Sequence, residues 1–256
     1  MTTTIALAAF PKSGVTYLSS LLFYSCFPAA KPEDHERSCI VDIHAYPWNN
    51  AEAYDGRIFL KTHFSYPQHV KVAGPPEKAL YLVRDPLDIM NSAYDFHKLL
   101  DGNYAENRQA FVDRWIASGG GDFEFAGLWV EHPDSWIKQP DVPVLVIEYT
   151  ALVDRPEEEI ERIFSFLGFR PRDAIVEAAI QNSSMQAMRS REEEEFRQKK
   201  EGVYYRSFLE STMRSGARFV NKGYRRSFAE LSPVQKIAAQ RQFGGIVRNY
   251  LGSDYA

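Results

Sequence analysis

The residues best suited to chemistry lie near the start of the chain, where an apolar stretch gives way to a short loop with a lysine. Residues 5–10 are apolar, residues 16–27 have helical spacing, and Pro-Lys-Ser-Gly at 11–14 lies between them. A strand that turns directly into a helix directs free backbone N–H groups and the positive helix end to one point. Lys12 adds a positive charge there, and Gly14 lets a ligand approach the main chain. The loop predicts an anion site, although a plain turn with an exposed lysine has the same sequence.

Three other polar residues follow apolar stretches that are typical of buried strands: His63, Arg84 and Tyr149. Ligands on open parallel sheets bind at the carboxyl ends of the strands, so we expect these side chains close to Lys12. An arginine at such a place can hold an anion through two parallel hydrogen bonds. The alternative for Arg84 is an ion pair with a neighbouring aspartate, Asp85 or Asp88.

A histidine is the side chain that can take a proton from a hydroxyl group at neutral pH. A lone histidine is more often structural, but the position of His63 after Lys61 and Thr62 favours a general base there. His97 is the rival histidine, and its place well inside a predicted helix indicates packing or pocket lining. His35 and the other loop histidines match no zinc-binding spacing, so no metal site is predicted.

These residues have to be positioned by alternating strands and helices. The near-continuous apolar character of the strands is typical of a parallel sheet covered on both faces, which predicts a single α/β domain over residues 1–256. We expect strands at residues 4–10, 57–62, 78–84 and 142–149, and helices at residues 16–27, 86–100, 106–117, 156–167, 173–181 and 233–251. Residues 28–56 are expected to help build a pocket, and residues 188–228 to form a mobile flap over the donor site.

Composition narrows the class of protein. The chain has 256 residues, 45% of them hydrophobic and 25% charged, and a formal net charge of −4. The acidic balance argues against a nucleic-acid-binding protein, and no apolar run is long enough to span a bilayer. Its two cysteines cannot form a disulfide framework. We therefore expect a cytoplasmic protein without a membrane partner.

Three segments in order resemble the sulfotransferases that use 3′-phosphoadenosine 5′-phosphosulfate (PAPS). They are Pro-Lys-Ser-Gly-x-Thr at 11–16, Lys-Thr-His at 61–63 and Arg-Asp-Pro-x-Asp-x-x-x-Ser at 84–92. The resemblance covers most of the chain and implies a P-loop-like α/β fold. The loop is not a Walker A motif, because no Gly-Lys-Ser/Thr is present there.

The resemblance also implies a role for individual residues. It gives catalysis to His63, Lys12 and Lys61, and donor binding to Lys12, Ser13, Gly14, Val15, Thr16, Tyr17, Arg84, Ser92, Tyr149, Ser183, Lys222 and Gly223. Among these, the first loop would hold the 5′-phosphosulfate, and Arg84, Ser92, Lys222 and Gly223 the 3′-phosphate. Asn221 stands where the family has arginine, and Arg218 or Arg225 is expected to supply the missing charge.

The predicted activity is transfer of a sulfuryl group from PAPS to a hydroxyl, or less favourably an amine, of a small-molecule acceptor, leaving 3′,5′-ADP (PAP). Aromatic residues in loops and helices line the acceptor pocket or belong to the core: Tyr46, Trp48, Phe64, Tyr66, Phe96, Trp129 and Trp136. The alternatives are a nucleotide-dependent phosphotransferase of related fold and a catalytically inactive nucleotide-binding module.

Overall fold

In the computed structural model, the apolar stretches of the sequence pair into one parallel sheet. The structure describes residues 2–27, 39–44, 53–100, 104–168, 173–199, 203–204, 218–220, 223–225, 227–252 and 255. Within this part of the chain the strands are β1 (Thr3–Ala9), β2 (Ile40–Asp42), β3 (Arg57–Thr62), β4 (Lys78–Val83) and β5 (Val144–Glu148). The predicted α/β class with a parallel sheet is confirmed.

The first strand of the chain lies in the middle of the sheet. The order is β2-β3-β1-β4-β5, and β1 pairs in parallel with β3 and with β4. Ile5 and Leu7 point into one hydrophobic cluster, and Ala6 and Ala8 into another on the opposite face. Because both faces are buried, every position of the strand from Ile5 onward is apolar. The loop that begins at Pro11 follows the carboxyl end of this central strand.

Helices cover both faces. They are α1 (Val15–Cys26), α2 (Tyr66–Ala73), α3 (Pro86–Leu100), α4 (Arg108–Ala117), α5 (His132–Ile137), α6 (Tyr149–Asp154), α7 (Pro156–Leu167), α8 (Asp173–Ser183), α9 (Met185–Gln198) and α10 (Pro233–Leu251). On one face Leu18 of α1 and Ile160 of α7 pack with the first cluster, and on the other Trp136 of α5 packs with the second.

A side-chain cap marks the transition from β4 to α3. The Asp85 carboxylate accepts a hydrogen bond from the backbone N–H of Leu87 at 2.8 Å and so caps the start of the helix. Asp88 instead accepts the backbone N–H of Ser227 at 3.0 Å, which ties the start of α3 to the C-terminal region. The sharp turn leaves Arg84 between strand and helix, with Ser92 two turns further along α3.

Five elements were not predicted: β2, α2, α5, α6 and α9. The strand β2 has only three residues, too few for a periodic pattern. The helix α6 begins at Tyr149, which the apolar run before it assigned to the end of a strand. The helix α9 has a polar sequence without apolar periodicity, yet the side chain of Glu192 on it is buried.

Candidate active site

The loop between β1 and α1 is shaped to leave backbone donors free. Lys12 adopts a φ of 68° and Gly14 a φ of 99°, both in the left-handed region. Gly14 is the N-cap residue of α1 and has no side chain to occupy the first N–H groups of the helix. The start of α1 therefore presents free donors and a positive dipole end toward the cavity lined by Val15 and Thr16.

Gly14 is also required by its neighbour. A Cβ at this position would lie 2.5 Å from Cε2 of Tyr149. The same ring also lies against the Arg84 guanidinium, whose central carbon is 4.2 Å from the ring centroid. The loop, the start of α6 and the end of β4 are thus packed against one another at a single point.

Arg84 is a buried cation with one nitrogen, Nε, that has no hydrogen-bond partner within the described residues. It donates to the main-chain oxygen of Lys12 at 2.9 Å and to that of Tyr224 at 2.7 Å, and its side chain lines the cavity. The residue is 5% exposed. A buried guanidinium that lines the cavity fits an anionic ligand, because a paired anion offsets the cost of the buried charge.

The Lys12 ammonium also faces the cavity. Its Nζ lies 4.1 Å from the ring centroid of Phe96 and 4.6 Å from that of Phe219. Burial, together with the positive charges of Arg84 and Lys61, lowers the pKa of Lys12 to about 7. The site therefore holds more positive charge than it neutralises, which is the condition for binding a multiply charged anion.

His63 is held in one tautomer. Its Nδ1 lies 2.8 Å from the main-chain oxygen of Ala9, and a carbonyl oxygen can only accept, so Nδ1 carries the proton. The other ring nitrogen, Nε2, has no hydrogen bond to the described residues and is free to accept one. Burial and the Lys61 charge lower the pKa of His63 to about 3, so the ring is neutral at pH 7.

Lys61 is paired within the same cavity. Its Nζ lies 2.7 Å from Oδ2 of Asp42, which follows from the parallel pairing of β2 with β3. Although burial opposes ionisation of Asp42, the Lys61 ammonium lowers the pKa of that carboxyl to about 2. Asp42 is therefore ionised throughout the physiological range and pairs with Lys61 beside His63.

A cavity of about 490 Å³ brings most of the predicted residues together. It is lined by Lys12, Gly14, Val15, Thr16, Tyr17, Lys61, His63, Arg84, Ser92, Tyr149 and Gly223. Ser13, within the loop, is buried and does not line the cavity. Ser183 lies elsewhere, because its hydroxyl donates to Oγ of Ser20 at 2.9 Å between α8 and α1. Lys222 and Asn221 lie outside the described residues.

Sequence reasoning missed part of the lining. Asp42 ends an edge strand too short to detect, and His44 follows it. The others are mostly apolar or aromatic residues without a distinguishing pattern: Pro11, Phe123, Phe125, Met188, Tyr204, Phe219, Val220 and Tyr224. Of the aromatic candidates, Phe96 lines the cavity. Trp129 and Trp136 are core residues, Phe64 and Tyr66 pack outside the lining, and Tyr46 and Trp48 lie outside the described residues.

Other charged candidates have structural partners. His97 bonds Asp122 at 2.6 Å and stacks on Tyr104, so it packs rather than lines the cavity. Arg218 pairs with Glu193 at 3.1 Å, and Arg225 with Asp154 at 2.8 Å. The idea that one of these arginines replaces the family arginine at Asn221 therefore stays a prediction.

Within the residues that the structure describes, no group of three or more histidine, cysteine or acidic side chains is arranged to hold a metal ion. Over the same residues, no helix combines the length and apolar character that crossing a bilayer requires.

The parallel sheet, the loop before α1 and the cationic cavity at the strand ends define a P-loop-like α/β protein. Residues 2–227 match the profile of the sulfotransferase domain, and the chain belongs to this family.

Two curated relatives share 24% sequence identity with this chain. The 3-alpha-hydroxysteroid sulfotransferase of Cavia porcellus is 24% identical over 197 residues, which is 73% of this chain and 66% of that protein. Sulfotransferase 1E1 of Homo sapiens is 24% identical over 199 residues, with the same two shares. The chain thus spans just under two thirds of the length of these relatives.

Solved structures agree in fold. Mouse sulfotransferase SULT7A1 complexed with PAP superposes with a TM-score of 0.67 at 21% identity, covering 96% of this chain and 84% of that one. Retinol dehydratase in complex with androsterone and the inactive cofactor PAP gives a TM-score of 0.69 at 17% identity, covering 96% and 81%.

Proposed function

We propose that this protein transfers a sulfuryl group from PAPS to a hydroxyl group of a small-molecule acceptor. The observation that carries the proposal is the arrangement of one cavity, in which a neutral imidazole with a free Nε2 faces the same space as Lys12, Lys61 and Arg84. Family membership and the PAP-bound structural neighbours support the donor. An amine is a less favoured acceptor, because a neutral amine can attack the sulfur without a general base and would leave His63 without a role.

The donor fits the residues present. Lys12, the first N–H groups of α1 and the Thr16 hydroxyl suit the 5′-phosphosulfate. The Arg84 guanidinium and the Ser92 hydroxyl, which line the cavity, suit the 3′-phosphate. Lys222 and Gly223 are assigned to the same phosphate, and Tyr17 and Tyr149 to the adenine. Ser183 is not retained in this proposal, because its hydroxyl is already engaged by Ser20.

The chemistry follows from the charges. The acceptor oxygen attacks the sulfur and gives its proton to Nε2 of His63, while the bond between sulfur and the phosphate oxygen breaks on the opposite side. The leaving phosphate gains negative charge, which Lys12 and the start of α1 stabilise. Lys61 faces the oxygens of the sulfuryl group during its transfer. The products are a sulfate ester and PAP, and the proton on His63 is lost to water.

The acceptor end of the cavity is aromatic. Phe96, Phe123 and Phe125 line it together with the ring of His44. Such a lining favours an apolar acceptor that carries its hydroxyl at one edge, with most of its surface against aromatic faces. The names of the relatives include a hydroxysteroid sulfotransferase, and a solved neighbour is a complex with androsterone. We therefore extend the proposal to phenols and alcohols with an apolar body.

The test compares two histidine variants. His63→Ala should lower sulfuryl transfer from PAPS to 2-naphthol by about a hundredfold or more, as loss of a general base does. Its PAP affinity by calorimetry should stay within roughly threefold, since the donor contacts are made by other residues. His97→Ala is the matched control and should keep both quantities, because His97 lies outside the cavity. Near-normal transfer by His63→Ala would refute the base.

A separate measurement addresses the nucleotide itself. Only a ligand that binds the folded state raises the melting temperature, so PAP should stabilise the protein and ATP with Mg²⁺ should not. Stabilisation by ATP and Mg²⁺ alone would favour a phosphotransferase. Stabilisation by PAP without transfer to any phenol, alcohol or amine of a broad panel would favour a binding module.

A further inference from the structure

The main chain of His63 is held on both sides by other histidines. Its backbone N–H donates to Nε2 of His44 at 2.9 Å, and its carbonyl oxygen accepts from Nε2 of His132 at 3.1 Å. Together with the ring contact to Ala9, these bonds engage every polar group of His63 except Nε2. They come from the ends of β1 and β2 and the start of α5, so three elements fix one residue.

The two histidines differ in their surroundings. His132 is buried, and its Nδ1 lies 2.8 Å from the Tyr81 hydroxyl, so it belongs to the core. His44 lines the cavity and packs its ring 4.2 Å from that of Phe64 and 5.4 Å from that of Phe125. A substitution of His44 can therefore remove one hydrogen bond to the main chain of His63 without disturbing the core, whereas a substitution of His132 cannot.

We propose that His44 is a positioning residue, which fixes the main chain of His63 by accepting its N–H and so aims Nε2 at the acceptor hydroxyl. The inference rests on the proposed function. His63 is the first residue after β3, where sheet pairing no longer holds the backbone. Small displacements of a base cost rate steeply, because proton transfer requires hydrogen-bond distance to the acceptor.

The role requires a neutral His44. Its Nε2 must keep a lone pair for the N–H of His63, so the ring proton sits on Nδ1. The ionisable groups around it are Asp42 before it, Lys61 and His63 at the end of β3, and His69 on α2. Burial lowers the pKa of His44, Asp42 opposes this, and Lys61 adds to it. A protonated ring would present N–H to N–H and release the backbone, so activity should fall on the acid side.

Two substitutions of His44 separate the effect of its hydrogen bond from the effect of its aromatic ring. Glutamine places its side-chain oxygen near the position of Nε2, accepts a hydrogen bond and does not titrate, whereas phenylalanine keeps the aromatic contacts and accepts nothing. With PAPS and 2-naphthol, we expect His44→Phe to lower kcat/KM at least roughly fivefold, the scale of one net hydrogen bond. His44→Gln should recover most of this loss and shift the acid limb of the pH profile to lower pH. PAP affinity should be unchanged in both.

A second readout does not depend on activity. In the ¹⁵N-labelled protein without ligand, a scalar coupling across the N–H···N bond should join the His63 amide to Nε2 of His44. The His63 amide proton should also shift as His44 titrates, and this shift should be absent in His44→Gln. Failure of the wild type to transfer sulfuryl from PAPS would remove the proposed function and leave this coupling intact. Absence of the coupling, or equal kcat/KM in wild type and His44→Phe, would overturn the role of His44.

Discussion

The Arg84 guanidinium donates a hydrogen bond to the main-chain oxygen of Lys12 at 2.9 Å. This bond joins the loop after β1 to the end of β4, which are neighbours in the sheet although 72 residues apart in the chain. It also orients both side chains toward one cavity, so that Lys12 and Arg84 can contact different anionic groups of a single nucleotide. Substitutions that separate the loop from Arg84 should therefore affect donor binding before they affect the fold.

Gly14→Ala is expected to weaken PAP binding by more than about tenfold. The added Cβ would lie 2.5 Å from Cε2 of Tyr149 and displace the ring that covers Arg84. The positive φ of 99° adds backbone strain of about 1 kcal/mol. Calorimetric titration with PAP measures the first effect, and thermal unfolding the second.

Gly168→Ala is the control for backbone strain. Gly168 caps α7 with a φ of 88°, and nothing lies within 4 Å of the position that a Cβ would take. This variant should lose a similar amount of stability and keep its PAP affinity. Equal affinities in the Gly14 and Gly168 variants would show that the Tyr149 contact does not matter for the donor.

Donor binding should depend on pH through Lys12. The pKa of about 7 means that the free protein loses this charge as the pH rises through neutrality. An anionic ligand favours the ammonium, so binding above pH 7 should take up a proton, and PAP affinity should fall by up to roughly tenfold per pH unit. Calorimetry between pH 7.5 and 9, in buffers of different ionisation enthalpy, measures both quantities.

Lys12→Arg supplies the comparison, because a guanidinium stays charged in this range. Its PAP affinity should change little between those pH values and its binding should take up no proton through residue 12. A pH dependence as steep as that of the wild type would assign the titration to another group.

The parts of the fold predicted from sequence are those with strong periodicity or strong boundary signals. The buried run of β1 and the Asp-Pro start of α3 placed Arg84 and the Lys12 loop at the same sheet edge, and the structure has them there. The helix bounds of residues 86–100, 156–167 and 233–251 agree with the structure, since proline marks each start.

The parts that were missed depend on long-range contacts. Asp42 and His44 enter the cavity because a three-residue strand pairs with β3, and no local pattern encodes that pairing. Glu192 has the sequence context of a solvated helix face, yet its carboxylate is buried because two backbone N–H groups from residues 219 and 220 bond it. Tertiary partners decide such cases, and a single sequence does not show them.

Glu192 gives a prediction of its own. Its carboxylate accepts the backbone N–H of Phe219 at 2.5 Å and of Val220 at 3.1 Å, and the Phe219 ring lies against the Lys12 ammonium. Glu192→Ala should release this segment and weaken PAP binding about tenfold, since it removes two charge-assisted bonds. The neighbouring Glu193→Ala removes an exposed pair with Arg218 and should change stability by less than about 1 kcal/mol. Equal PAP affinity in both variants would exclude the anchoring role.

Burial of His69 should make the free energy of unfolding depend on pH. It is fully buried on α2, its ring lies 5.1 Å from that of Trp136, and neither ring nitrogen has a hydrogen-bond partner within the described residues. Burial is the main cause that lowers the pKa of His69 to about 4, and the nearby His44 adds to the effect. As the pH falls from about 6.5 to about 4, this imidazole therefore binds a proton in the unfolded chain but not in the folded one. The free energy of unfolding falls by up to about 3 kcal/mol in that window.

Replacing the imidazole should remove this loss. His69→Phe also eliminates two unpaired buried nitrogens, and we expect it to raise the free energy of unfolding at pH 7 by about 1 kcal/mol. His69→Leu, with a smaller side chain, controls for crowding by the larger ring. In both variants, urea unfolding at pH 7 and pH 5 should show a smaller drop in stability than the wild type. Because His132 and His63 titrate in all three proteins, only the difference in slope reports on His69, and parallel curves would contradict the assignment.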